Sequence, residues 1–339
     1  MSLIIPIFIP HEGCPHCCVF CDQHSISGQS SPPVSGAEVG ETIHAWLARS
    51  KPENRGQAQV AFYGGSFSGL PAERQAELLA AVQPFRDQGL VQEIRLSTRP
   101  DYIDNERLDL LCRHGATIIE LGVQSCDDSV LQQAGRGHSQ ADVERAVRLI
   151  KERNLRLGVQ LMLGLPGDRS RSLRNTVEAV IRLRPEFVRL YPVLVLRGSG
   201  LEALYHRGGY RPLSLGRAVV LAASMKKRFD DQGIRVVRMG LQPTRELEQS
   251  LAAGPYHPAF GEMVQARLML RQTRRLLAGV SKSAPVVLVI AERDQSIFRG
   301  LGSANIKRLR QLGLLDRFSL RTDPQQPRHT LKVVQADSL

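Results

Sequence analysis

Four of the chain's six cysteines fall within eight residues: Cys14, Cys17, Cys18 and Cys21, in GCPHCCVFCDQ (13–23). Thiols packed that densely along a chain hold metal or do redox chemistry. Three chemistries are open to them. Cys14 and Cys17 form a Cys-x-x-Cys, the spacing of a thiol–disulfide exchanger, but Cys18 and Cys21 would then be spare thiols beside a reactive pair. Two adjacent pairs could hold zinc, yet structural zinc sites separate their pairs by roughly a dozen or more residues so that two segments close the tetrahedron. Cys14, Cys18 and Cys21, spaced C-x3-C-x2-C with Phe20 just before the last, can instead grip three irons of a [4Fe–4S] cube. The fourth iron is then open to a substrate or cofactor, and Cys17 is a bystander. The remaining two, Cys112 and Cys126, are single and distant and read as buried small apolar residues.

Such a loop needs a scaffold, and the chain supplies a regular one. Apolar strand-like runs occur at 4–9, 59–63, 93–97, 117–123, 156–163 and 186–192. They are near-continuous, as for parallel strands covered on both faces. Amphipathic helices fall between them. Pro71 opens one, with Leu78, Leu79 and Val82 inward. Ser139 and Asp142 form a capping box ahead of Val143, Val147 and Ile150, and Leu173, Val177 and Val180 repeat the spacing. Six β-then-α units imply a parallel α/β fold, for which an open barrel fits as well as a doubly wound sheet. The rhythm changes after about 195. A helix near 214–232, a strand at 234–240, a hinge at GPYHPAFG (254–261), a long helix (262–278), a strand at 286–290, a helix near 303–312 and a last strand at 330–335 follow. This divides the chain into a core over 1–254 and a small α+β domain over 255–339.

The 339 residues suffice for one large core with an appendage. LIIPIFIP at the start is too short, too proline-bearing and too poor in basic residues for a signal peptide or a membrane span, so a cytoplasmic protein without membrane association is expected. Net charge is +12, distributed unevenly: 10 Lys+Arg against 16 Asp+Glu in 1–140, but 35 against 17 in 141–339. A basic half suits an anionic partner such as RNA; a solvated surface in an arginine-biased sequence suits it equally. Arg267, Arg271, Arg274 and Arg275 share a face of the long helix, and Lys307, Arg308 and Arg310 add a basic run.

The strand ends carry further motifs: YGGSF (63–67), STRPD (97–101), ELGVQS (120–125) with AGRGH (134–138), LMLGLPG (161–167), then YPVLVLRGSGL (191–201) and YRPLS (210–214). With Cys14, Cys18, Phe20 and Cys21 after the first strand, this order resembles the radical S-adenosylmethionine (radical SAM) superfamily, and within it the radical SAM core of the Elongator catalytic subunit family. The motif likeness spans roughly 4–215. The oxygen-independent coproporphyrinogen oxidases share the outline more loosely.

The resemblance implies a partial (β/α)6 barrel with its site at the carboxyl ends of the strands. It implies a [4Fe–4S] cluster on Cys14, Cys18 and Cys21, and S-adenosylmethionine cleaved to methionine and a 5′-deoxyadenosyl radical. By carry-over, Phe20 packs near the adenine, and Gly64, Gly65 and Ser66 border the methionine moiety. Gln124 reaches the ribose or amino-acid part, Arg136 pairs with the carboxylate, and Gln160 and Leu163 lie on the adenine side. Ser97 stands where relatives carry glutamate, so that polar contact is weakened or replaced. His138 reads as a structural hydrogen bonder. The chain starts at the first strand without the basic segment of Elongator subunits, and no acetyltransferase-like domain follows, so their wobble-uridine carboxymethylation is not carried over. An electron donor such as ferredoxin or flavodoxin is implied. The substrate expected is RNA, namely tRNA; a small metabolite or porphyrin-like substrate, or a non-catalytic metal-binding RNA module, are the alternatives.

Overall fold

The computed structural model describes residues 3–9, 13–14, 18–21, 33–50, 58–280 and 286–335. They group into two compact units, one of residues 1–214 and 229–255, the other of 215–228 and 256–339.

Among the described residues of the first unit nine strands are formed: β1 (Ile4–Ile9), β2 (Ala58–Gly64), β3 (Val91–Thr98), β4 (Ala116–Gln124), β5 (Arg156–Leu163), β6 (Phe187–Pro192), β7 (Val195–Leu196), β8 (Arg235–Met239) and β9 (Leu251–Ala253). The first six and β8 make one sheet in the order β1-β2-β3-β4-β5-β6-β8, every neighbouring pair parallel. The order never reverses. A doubly wound sheet reverses at a switch point and places helices on both faces. Right-handed crossovers in a singly wound sheet place every helix on one face. The fold is therefore an open, partial barrel, with β8 extending the six strands expected from the sequence.

That winding changes what the apolar runs mean. One face of each strand is buried beneath helices: Ile7 and Ile9, Phe62, Ile94 and Leu96, Ile119 and Leu121, Val159 and Leu161, Val188 and Leu190. The residues between them, Phe8, Tyr63, Arg95, Glu120, Gln160 and Arg189, point the other way, into the barrel interior. This second face is not covered by helices, contrary to the expectation of two covered faces. The helix layer answers with α1 (Gly36–Arg49), α2 (Ala72–Ala80), α3 (Asn105–Arg113), α4 (Gln140–Glu152) and α5 (Ser170–Leu183), whose inward stripes include Val39, Ile43, Leu78, Leu79, Leu111, Val147, Ile150 and Val180. Asp142 closes the capping box on Ser139 at the start of α4.

After β6 the chain forms the antiparallel β7–β9 pair, which packs with Val130, Ala134, Leu165, Leu201 and Tyr210 against Val19 and Phe20. Helix α6 (Leu215–Asp230) carries the chain into the second unit and back. That unit pairs β10 (Val286–Ala291) between β11 (Phe318–Asp323) and β12 (Leu331–Gln335), parallel to the first and antiparallel to the second. Helices α7 (Phe260–Ala278) and α8 (Ala304–Gln311) cover it over a core of Met269, Leu288, Ile290, Phe298 and Leu309. Asn305 on α8 donates to the carbonyls of Ala266 and Phe298 at 2.9 and 3.0 Å, tying α8 to α7. Among the described residues no helix is long and apolar enough to cross a membrane.

Candidate active site at the carboxyl ends of the strands

Every motif that follows a strand lies at that strand's carboxyl end, so five loops share one rim. The cysteine loop follows β1 and is seated by its backbone. Gly13 has φ +73°, and a Cβ there would overlap the Ser66 carbonyl oxygen; a Cβ on Gly69 would overlap the Gly13 carbonyl. Two glycines thus let the loop lie directly on the turn after β2. Further along, the Val19 amide donates to Ala134 O at 3.1 Å, the Leu201 amide donates to Val19 O at 2.6 Å, and the Cys21 amide closes a turn on Cys18 O at 3.0 Å. Cys18 is buried; Cys14 and Cys21 are half-buried. Cys17 lies outside the described residues. Among the described residues no three Cys, His, Asp or Glu side chains converge on a single point as a mononuclear metal cage. A cube places its three thiolates on three different irons, so it does not require that convergence.

The seat predicts an effect remote from any thiol. Gly13→Ala costs about 1–2 kcal/mol for the left-handed backbone alone, and the overlap with Ser66 adds to it. Iron bound per chain after anaerobic reconstitution is expected to fall while the barrel still folds, its unfolding temperature lowered by several degrees. Parental iron content in this variant would show that the loop is seated otherwise.

Behind the loop stand two buried arginines, Arg99 and Arg136. Arg136 aims Nη1 at Cys18 Sγ (3.3 Å) and donates through Nη2 to Gly122 O (2.6 Å). A Cβ on Gly122 would come within 2.9 Å of that guanidinium, so the glycine makes its room. Arg99 places Nη1 3.9 Å from the same sulfur, clasps Asp101 through Nε and Nη2 at 2.9 Å each, and donates to the Arg136 carbonyl. Arg136 has no carboxylate partner among the described residues, and its buried Nε has no hydrogen-bond partner. Two buried cations thus face one carboxylate, Asp101, and one thiol. An uncompensated buried charge is costly, and a metal-bound cysteine, which is a thiolate, would balance it. The donor set and its charge therefore fit a cluster held by this loop.

Gly64 ends β2 with φ +105°, its Cβ direction blocked at 3.1 Å by Ile9 O, and Gly65 donates to Ile9 O at 2.8 Å. Ser66 turns away into a buried hydroxyl chain: its Oγ lies 2.9 Å from Thr98 Oγ1, which meets Ser68 Oγ at 2.5 Å, and it accepts from the Arg99 amide at 3.3 Å. The chain locks the ends of β2 and β3 together and aims Arg99. Gln124 closes β4 at a register shift with φ +67°, rare for a non-glycine residue and costing of order 1–3 kcal/mol. Its Oε1 accepts from Gln160 Nε2 at 3.3 Å. Leu163 is fully buried at the end of β5, Phe20 is half-buried against the β7–β9 wall, and half-buried Ser97 pairs with Glu120 in the β3–β4 ladder. Cys18, Arg136 and Gly122 are brought into contact, as are Gln124 and Gln160; Ser66, through its hydroxyl, faces the scaffold.

His138 places Nε2 3.1 Å from Val123 O and Nδ1 3.9 Å from Asp101, the position of a structural hydrogen bonder. Burial, with Arg136 adding to it, lowers its pKa to about 4 from 6.5. The unfolded chain thus takes up the proton first as pH falls. The stability this neutral histidine supports is complete above pH 6.5 and is lost progressively as pH falls towards 4, to a limit of about 3 kcal/mol. Unfolding measured through that window should steepen in the parent and flatten in His138→Gln; equal slopes would remove the assignment.

Reading motifs missed Arg99 as a neighbour of the thiols, the Ser66–Thr98–Ser68 chain and a tier lower in the barrel. There Glu120, 4% exposed, meets Arg95 Nε at 3.2 Å and Arg189 Nε at 3.0 Å. Tyr63 Oη receives Arg189 Nη2 at 2.6 Å. Burial pushes the Glu120 carboxyl up, and the two guanidiniums pull it back. A half-exposed arginine would have been visible as charge; this pairing joins residues on four strands. Cys126 is buried as expected, its thiol pushed up to about 12 by that burial, whereas Cys112 is only half-buried.

Comparison with known proteins gives the same outline. A family model described as the Radical SAM superfamily matches residues 8–180, and one described as the Radical_SAM C-terminal domain matches 185–270. The likeness thus continues past 215, where the motifs stop. An uncharacterized protein of Methanocaldococcus jannaschii is 29% identical over 217 residues, 62% of this chain and 66% of that protein. A tRNA uridine(34) acetyltransferase of Methanocaldococcus infernus is 30% identical over 159 residues, 45% of this chain and 30% of its own length. The chain spans less than two thirds of these relatives. The solved structure of the archaeal Methanocaldococcus infernus Elp3 with an N-terminal deletion superposes with a TM-score of 0.64 at 19% identity, over 80% of this chain and 64% of that one, a likeness of fold.

Proposed function

The chain belongs to the radical SAM superfamily, and from that premise we propose that its cysteine loop holds a [4Fe–4S] cluster and that it modifies RNA of the tRNA kind. It is an enzyme, and the cofactors of its family are that cluster and S-adenosylmethionine. When bound, the cluster would pass on an electron from an external reductant and S-adenosylmethionine would accept it at its sulfonium, splitting to methionine and a 5′-deoxyadenosyl radical for hydrogen-atom abstraction.

Cys14, Cys18 and Cys21 would hold the cluster. Gly64 and Gly65, lacking Cβ atoms, leave main chain open beside the methionine moiety. Gln124, held by its left-handed backbone and by Gln160, is the polar group for the nucleoside. Arg136 would balance the Cys18 thiolate and pair with the methionine carboxylate. Phe20 supplies an apolar wall that excludes water; Leu163, on the face of Val159 and Leu161, packs under the helices instead. The carrying observation is the balance of charge at Cys18: two buried guanidiniums, one carboxylate and a thiol that completes them. The tRNA reading is supported by the tRNA uridine(34) acetyltransferase match, over part of the chain. A low-potential donor such as ferredoxin or flavodoxin would deliver the electron.

The test is anaerobic: reconstitution with iron and sulfide, reduction, addition of S-adenosylmethionine, and an assay for 5′-deoxyadenosine with and without bulk tRNA. Iron in cluster stoichiometry and product that rises with tRNA support the reading. Zinc in protein purified without oxygen sinks the cluster assignment. A product yield indifferent to tRNA, with tRNA unchanged by mass spectrometry, sinks the substrate.

A further inference from the structure

The net charge of the chain resides in one unit. Residues 215–228 and 256–339 carry 18 Lys+Arg against 6 Asp+Glu, a net +12; the larger unit carries 27 against 27, a net of zero. A genomic bias towards arginine does not produce this. It loads both units, since 25 of the 27 basic residues of the larger unit are arginine, yet there each is matched by an acid. The small unit bears a self-repulsion that the large one avoids.

The excess has a focus. Arg267, Arg271, Arg274 and Arg275 fall four, three and one residues apart on α7 and share a face. Arg271, Arg274 and Arg275, with Arg317 from the segment before β11, line a groove of about 660 Å³ floored by Leu277 and Leu314. Among the described residues no carboxylate lines it. Arg267, one turn before Arg271 on α7, has a buried Nε without a hydrogen-bond partner, and burial together with Arg271 and Arg274 holds its pKa below the ordinary arginine value. Like charges at this spacing destabilise a helix; a polyanion laid along them removes the penalty.

We propose that this groove docks the phosphate backbone of a single-stranded segment of RNA. Guanidinium forks match phosphate oxygens two at a time. Their planes and the apolar floor also accept unstacked bases, the pairing that single-strand binders use. A membrane surface fits less well: the exposed large apolar side chains of this unit, Leu301 and Leu320, do not line the groove. The identity of the polyanion rests on the RNA substrate proposed above; the groove is read from its own charges.

The experiment uses the full chain, a fluorescent single-stranded RNA and bulk tRNA, with affinity measured across a salt series. The parent should weaken linearly in log–log form. Arg271→Gln/Arg274→Gln/Arg275→Gln should bind at least about tenfold more weakly, with the salt slope reduced by about 2, since each single-strand phosphate contact contributes about 0.7. The matching triple lysine variant keeps the slope and guards against a folding effect. Iron content and RNA-independent 5′-deoxyadenosine should stay at parental values. Parental RNA affinity in the glutamine variant overturns the proposal, as does a parent that binds phosphatidylserine vesicles and not RNA. RNA bound in the groove but never modified leaves the docking site standing and removes the substrate.

Discussion

Cys18→Ala abolishes both cluster assembly and 5′-deoxyadenosine formation, and it destabilises the barrel. On the proposed reading Cys18→Ala, Cys14→Ala and Cys21→Ala each remove a thiolate ligand, so in each the iron bound after anaerobic reconstitution falls and S-adenosylmethionine cleavage drops to background. Cys18 has a further effect behind the loop. Cys18 Sγ is the acceptor 3.3 Å from Arg136 and lies 3.9 Å from Arg99; the alanine leaves Arg136 buried without an anionic neighbour, a loss of order 3 kcal/mol. Cys18→Ala paired with Arg136→Met should recover much of that stability and none of the cleavage. Cys17→Ala should retain iron and cleavage. Iron retained in Cys18→Ala, or lost in Cys17→Ala, would transfer the ligand role from one cysteine to the other. Iron analysis, chromatography of the nucleoside and denaturant unfolding together read all these outcomes.

The second large effect is on Glu120. Its carboxylate stands between Arg95 and Arg189 inside the barrel, with Tyr63 closing the group. Glu120→Gln keeps the shape and removes the charge, leaving two buried guanidiniums facing a neutral amide. Breaking a buried pair in this way costs about 3–5 kcal/mol, a large share of the roughly 5–15 kcal/mol that holds a domain folded. Denaturant unfolding should show that loss with an unchanged slope. Replacing all three members by apolar residues of similar volume should be far milder, because no charge is then stranded. A Glu120→Gln variant within about 0.5 kcal/mol of the parent, the range of an inconsequential surface change, would mean that the tier is solvated and contributes no fold stability.

Much of this was legible along the chain. Apolar runs marked the six strands, since burial of one face beneath helices keeps alternate positions invariably apolar. The Ser139–Asp142 box marked a helix start because capping is local. The C-x3-C-x2-C spacing marked the loop because three ligands from one turn need that spacing. What failed to show was whatever depends on distant positions meeting. Arg99 reaches Cys18 across 81 residues of chain, and nothing at either position announces the other. Arg95, Glu120 and Arg189 look like surface charges punctuating strands; only the single-sided winding turns them inward as a set. The conformation of Gln124 arises from a register shift between β4 and β5, which no local propensity encodes.

The route of the chain between the two units constrains how the protein can be cut. It leaves the first unit after Ser214, returns at Phe229 and leaves again after Pro255. Three passages connect them, so no single cleavage yields both units whole. Stopping translation at 255 would retain the seventh strand, β8, but orphan the 215–228 segment of α6, whose Ala218, Val219, Ala222 and Met225 are buried in the intact chain. An apolar helix face of that kind, stripped of the unit it groups with, favours aggregation. Stopping at 214 avoids the orphan and forfeits β8, baring the edge of β6 to pairing with another copy. A minimal barrel would need a designed linker long enough to span the roughly 22 Å that the helix covers between 214 and 229. On the ribosome the same geometry delays completion: the parallel sheet cannot acquire its last strand until the inserted helix has emerged and found somewhere to wait.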